Sequence, residues 1–281
     1  MITTLAVIGR IFSNSVANLY QKKATEKMTP VKTNLLSYAI MSALCIIPAC
    51  FVTWTQYSIV FWINVIIAGI LCTIGTIALI EALKIGELSV LAPINSYKSI
   101  IGLIGAFIIL NEIPSAKDLI CILGIVLGSY FVLDTNNEHF SIKTFWRKDI
   151  RLRIFALICS GTEASFLKKI ILMSSYKISL ILWCFSGLLC SLIIYSLNKE
   201  KDIRTTSELK TPFIIGIMLI TMQLTTNYVF TKMEVGTALA LFQLSSLVSL
   251  YFGYKIYNEK EIIKKLAGTI IMITSASFLL F

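Results

Sequence analysis

The apolar positions of this chain fall in long unbroken runs, such as the stretch at 66–80, and neither alternate nor keep to one face of a helix. A run of this kind reads as a helix crossing lipid, since about 20 residues rising 1.5 Å each span a hydrocarbon core about 30 Å thick. Ten such helices are predicted, over residues 2–20, 35–54, 59–83, 88–110, 113–133, 154–172, 178–197, 212–230, 235–257 and 262–281. Open strands would leave edge amides unpaired in lipid, and the period of two that marks a barrel is absent, so the expected class is an all-α polytopic membrane protein. The longest polar interval, 134–153, is too short for a soluble domain. Helix one carries Arg10, Asn14 and Asn18 in its body with no small-residue cleavage site after it, and is expected to stay as a span.

Of the 281 residues 57% are hydrophobic and 14% charged, against about 25% charged in a soluble domain. That excludes a cytosolic enzyme, a disordered chain and a disulfide-stapled secreted module. The net charge of +10 comes from Lys and Arg in short loops, where they orient helices and meet anionic headgroups rather than nucleic acid. The seven cysteines form no CxxC pair or Cys/His cluster, so no metal site, cofactor or disulfide framework is expected.

The chain repeats itself. An offset of 147 residues superposes 69–112 on 216–259 without a gap, matching Gly69 with Gly216, Glu87 with Glu234, Ser99 with Ser246, and Asn111-Glu112 with Asn258-Glu259. An offset of 146 sets Lys22-Lys23 on Lys168-Lys169. The expected organisation is a first half at 1–134, a basic connection at 135–153 and a second half at 154–281. Five crossings per half is an odd number, so the second half enters from the opposite side and the two are inverted repeats.

The segments at 82–133 and 230–281 resemble the two EamA repeats of the drug/metabolite transporter superfamily. Glu112 and Glu259 match the Glu that closes the fourth helix of each repeat, Pro93 the proline of helix four, and Gly128 and Gly268 the small residues of the last helices. The resemblance implies two inverted five-helix repeats and a multi-pass transporter of the cytoplasmic (inner) membrane that moves metabolites. It also implies a central cavity to which helices one, three, four and six contribute. Two departures are visible. Ala240 stands where helix four has Pro93, which predicts a weaker opening of helix nine. Glu81 stands where an aromatic or apolar residue is common, and its counterpart Tyr228 fits the pattern better.

Among the charged residues within the predicted helices, Arg10, Glu81, Lys98 and Glu163 are the candidates for the interior. Each costs about 2.5–3.5 kcal/mol at a helix centre, so such residues face a bundle interior or a wet cavity, or snorkel to the headgroups from a helix end. Two positive and two negative groups around one cavity suit a zwitterion, and the expected substrate is an amino acid or a similar small polar metabolite. Asn14 and Asn18 on helix one, and Gln223 and Asn227 on helix eight, share a face at i, i+4. With Asn95, Gln243 and Tyr228 they complete the candidate binding set, although interhelical hydrogen bonds use the same residue types. Trp54, Trp62, Trp146 and Trp183 suit anchoring at the interfaces.

Proton coupling would rest on Glu81 and Glu163, because the single histidine, His139, lies in a loop. Glu112 and Glu259, beside loops at helix ends, are expected to have a structural role, bonding the amides of the next segment, and Pro93 to shape helix four. No intramembrane Asp pair, Ser/His set or HExxH motif supports an enzyme, and no filter-like loop supports a channel. The alternative function is a non-transporting membrane subunit, or a component of a lipid-linked sugar flippase, on the same fold. The expected partners are a small-molecule substrate, the bilayer and a proton or other coupling ion. The GxxxG spacing of Gly124 and Gly128 suits internal packing in a monomer or the seam of a homodimer. By these helix bounds, 18 Lys and Arg lie on the side opposite the termini and five on the side of the termini. That bias places both termini outside, whereas the resemblance implies that both are inside.

Overall fold

The computed structural model describes residues 1–105, 107–108, 120, 123–124, 127–128, 131–132, 145–198 and 209–277. These residues are helical throughout their ordered elements: α1 (Ile2–Ala24), α2 (Pro30–Cys50), α3 (Ile59–Ile85), α4 (Leu88–Ile94), α5 (Tyr97–Gly105), α6 (Lys148–Met173), α7 (Tyr176–Leu197), α8 (Lys210–Phe230), α9 (Val235–Phe242), α10 (Ser245–Tyr257) and α11 (Ile262–Ser277). Local chemistry sets several starts. Thr29, Ser58 and Ser175 accept the amides of Lys32, Phe61 and Ile178 at 3.4, 3.4 and 3.2 Å, and Pro30 stands in the first turn of α2, where its missing amide is not needed.

Among the described residues four helices are long and apolar enough to cross a membrane: α2, α3, α7 and α8. With 23 and 26 residues, α1 and α6 extend about 35 and 39 Å, but polar residues such as Arg10, Asn18 and Glu163 interrupt them. Those residues are buried, so the interruptions mark a face turned into the protein. The opposite side of the bundle is greasy: Leu5, Ile8 and Phe12 on α1, and Ile59, Ile63, Ile66 and Ile70 on α3, are exposed at spacings of three and four.

Helices α1 and α3 of the first half lie along α8 and α6 of the second, α2 along α7, α4 against α10, and α5 against α9. Exchanging the halves leaves this set of pairs unchanged. The polar contacts follow suit: Lys22 Nζ donates to Gly86 O at 2.8 Å, and its counterpart Lys168 donates to Met233 O at 3.0 Å, Met233 being the residue that the 147 offset matches to Gly86. Close approaches are built on small residues. A Cβ on Gly187 would lie 2.1 Å from the Tyr38 ring, so α2 and α7 touch only because this position lacks a side chain.

Predicted helix five lies mostly outside the described residues. Its two described glycines turn inward: a Cβ on Gly124 would strike Ser275, and one on Gly128 would come within 2.7 Å of Gly268 O. This small-residue face is occupied by α11 of the same chain.

The predicted helices 88–110 and 235–257 are each broken. The first stops at Ile94 and resumes at Tyr97; the second stops at Phe242 and resumes at Ser245. The expectation of a weaker opening where Ala240 replaces Pro93 is not met, because the second break has its own cause, described below.

Candidate substrate cavity

On α1, Arg10, Asn14, Asn18 and Gln21 recur every three or four residues and so form one stripe. They line an interior cavity of about 110 Å³ together with Thr76 of α3, Asn95 at the first break, Lys98 of α5, Arg153 and Glu163 of α6, and Gln223 and Thr226 of α8. The lining is drawn from both halves, and its position follows from the two helix breaks.

At the first break the backbone leaves the α-helical ladder: Asn95 N donates to Ala92 O at 3.0 Å and Ser96 N to Pro93 O at 2.9 Å. The carbonyl of Leu91 is taken instead by Arg153 Nε at 3.1 Å, and that of Ala92 also receives Ser246 Oγ at 2.9 Å. At the second break Leu244 N donates to Leu241 O at 3.2 Å, and the Gln243 side chain returns one turn to donate from Nε2 to Leu239 O at 2.8 Å. A side-chain amide thus enters the backbone ladder, which bends a helix without proline. The two breaks meet: Asn95 Nδ2 donates to Gln243 Oε1 at 3.0 Å, and Asn95 Oδ1 accepts Arg153 Nη2 at 2.8 Å.

Arg10 is 5% exposed. Its Nε donates to Thr226 Oγ1 at 2.9 Å and its guanidinium lies 4.7 Å from the centre of the Phe242 ring, a cation–π contact. Its Nη1 has no hydrogen-bond partner among the described residues. A buried, charged donor left unpaired is costly. Glu163, 6% exposed, accepts from Trp183 Nε1 at 2.6 Å, and Lys98 lines the same cavity as Glu163, Arg10 and Arg153.

The structure redistributes the predicted set. Arg10, Asn14, Asn18, Asn95, Lys98, Glu163 and Gln223 line the cavity. Asn14 also donates to Ser245 Oγ at 3.1 Å, and Gln223 to Asn227 Oδ1 at 2.9 Å. Asn227 is fully buried and donates to Tyr176 O at 3.3 Å; Tyr228 packs edge-on against Tyr176, 5.9 Å between centres; Gln243 is buried at the break. These three are not among the residues that line the cavity. Glu81 also lies away from it, and pairs with Lys148 at 3.7 Å in a partly exposed setting.

The sequence places Arg153 in the basic connection, but α6 begins at Lys148 and carries it inside, 4% exposed. The balance of two positive and two negative groups therefore becomes Arg10, Lys98 and Arg153 facing Glu163. The available signal was the spacing of ten residues between Arg153 and Glu163, about 2.8 helical turns, which leaves both on the same half of the helix. Trp183 is likewise not an interface anchor: it is 5% exposed and holds Glu163.

A second polar cluster closes one end of the bundle. Glu259 Oε1 accepts the Leu88 amide at 2.8 Å and Lys22 Nζ at 3.1 Å, and Oε2 accepts the Ser89 amide at 2.7 Å. Burial alone would raise this carboxyl's pKa, but hydrogen bonds from Ser89 and Leu88 and the charge of Lys22 outweigh it and hold the group below its ordinary value. The predicted bonding to amides is therefore present, but across the halves: Glu259 caps α4, not the helix that follows it. Glu112 lies outside the described residues.

The model of the EamA-like transporter family matches residues 1–134 and 150–281. No curated protein matches the chain. A solved chain described only as "Crystal structure of protein" is 13% identical, with a TM-score of 0.73 over 99% of this chain and 96% of that one, a likeness of fold. The paired halves, the buried polar cavity between them and the match over both halves lead to one assignment: this chain is an integral membrane protein of the EamA-like transporter family.

Proposed function

We propose that the chain moves a short-chain amino acid, or a similar small zwitterion, across the cytoplasmic membrane by alternating access between two inverted halves. The observation that carries this reading is the unpartnered Nη1 of Arg10 in the same cavity as Glu163. A substrate carboxylate completes Arg10 and meets Lys98, while a substrate ammonium meets Glu163. An uncharged sugar satisfies neither charge, and a simple cation faces three positive groups. The volume of about 110 Å³ is well below the roughly 300 Å³ at which ordinary ligand pockets begin, which favours a substrate of few atoms. Arg153 is already engaged by Leu91 O and Asn95, so its role in this reading is to hold the lining in place. Glu163 is the coupling candidate inside the cavity; Glu81, at the periphery, is the candidate for a proton path to the surface.

Uptake in proteoliposomes tests the proposal. A labelled short-chain amino acid accumulates against its gradient, and Arg10→Met weakens its apparent affinity about 10- to 100-fold, as expected for a lost charge-assisted hydrogen bond. Uptake restricted to uncharged sugars overturns the substrate class. No uptake of any solute against a gradient returns the alternative, a non-transporting subunit or a flippase component.

A further inference from the structure

The cluster around Glu259 joins parts that separate when a bundle of two halves opens. From the first half come Lys22, at the end of α1, and the turn from Gly86 to Ser89 that starts α4; from the second comes Glu259. Lys22 is about 18 Å along α1 from Arg10, and its neighbour Gln21 lines the cavity, so the cluster sits where the cavity would reach this surface. Its construction is specific. Gly253 leaves room for the carboxylate, since a Cβ there would come within 2.3 Å of Glu259 Oε2. The turn carrying Glu259 is held by two left-handed residues, Asn258 at φ 52° and Glu261 at φ 59°, and the second of these is a conformation that a side chain such as Glu rarely adopts.

We propose that Lys22, Glu259 and the amide end of α4 form the gate at this end of the cavity. When it is made, the carboxylate ties α10 to α4 and α1. Opening the end requires Glu259 to leave two amides and one ammonium together. The gate is distinct from the substrate contacts, and the inference rests on the alternating-access reading only in requiring that the cavity open to one face at a time.

The test uses native Cys72, which lines the cavity, as a reporter in the full chain without substrate. A small membrane-impermeant methanethiosulfonate is applied from one face of oriented proteoliposomes, and modification of Cys72 is read by peptide mass spectrometry. Glu259→Gln and Lys22→Met are each expected to speed modification about tenfold from the face carrying the α10–α11 turn, the factor expected for a lost charge-assisted hydrogen bond, with no change from the other face. Lys22→Met leaves the cap of α4 intact, so an effect of Glu259→Gln alone overturns the gate and makes Glu259 a helix cap. Unchanged rates in both variants also overturn it. Modification of the wild-type chain from both faces at once is a different result, which ends the alternating-access reading itself.

Discussion

The two broken helices reach the same shape by different means. In the first, Pro93 removes an amide and α4 ends at Ile94; in the second, Ala240 stands at the matching place and α9 ends at Phe242 all the same. What they share is a recipient for the backbone groups the break releases: Arg153 for Leu91 O in one case, the chain's own Gln243 for Leu239 O in the other. The break is therefore a property of tertiary pairing more than of local propensity. Proline makes it easier to form, but the side chains that take over the carbonyls keep it in place within lipid, where an unpaired carbonyl has no water to turn to.

Substitutions at the two breaks separate the effect of pairing from that of proline. The largest prediction is for Arg153→Met, which leaves Leu91 O and Asn95 Oδ1 without a donor. A loss of about 3–5 kcal/mol is expected from two buried acceptors, read as a fall in the thermal unfolding midpoint in detergent; a midpoint unchanged from the wild type would mean that Arg153 does not maintain the first break. Next is Gln243→Leu, which frees Leu239 O and Asn95 Nδ2 and should cost about 1–3 kcal/mol by the same measurement. Pro93→Ala should cost less than about 1 kcal/mol, because Arg153 and Ser246 still hold the released carbonyls. If Pro93→Ala proves the more damaging of these last two, proline and not pairing governs the shape. The smallest expected effect comes from pH. A carboxyl held below its ordinary value contributes stability that is present above the unfolded pKa and lost as pH falls through the folded one. The Glu259 contribution should thus be flat from pH 7.5 to about 5.5, and the difference in midpoint between wild type and Glu259→Gln should not change over that range.

Much of this was legible in the residues. The stripe of Arg10, Asn14 and Asn18 follows from helical spacing, and the exchange of the halves from the 147-residue offset, because both depend on periodicity alone. Arg153 was hidden by its neighbours: at the edge of a basic stretch, a buried arginine and a headgroup-facing one look alike. The place of Glu81 was open for the converse reason, since a carboxylate near a helix end fits a cavity or the periphery equally well until Lys148 is placed beside it. The second break carries neither Pro nor Gly, so only the position of Asn95 opposite Gln243 reveals it. The destination of Glu259 could not be read either, since no local rule says that a helix-end carboxylate will cap a helix about 170 residues earlier.

That long-range cap has a consequence for how the protein is made. A ribosome delivers the first half first, so α4 enters the membrane with its leading amides uncapped and the Leu91 carbonyl unclaimed. Arg153 arrives only with α6, and Glu259 only after α10. Until then the nascent first half presents polar backbone to its surroundings and depends on water near the insertion machinery, or on transient neighbours, to remain there. Completion of the last turn is therefore what caps α4, with a carboxylate made about 170 residues after the amides it binds.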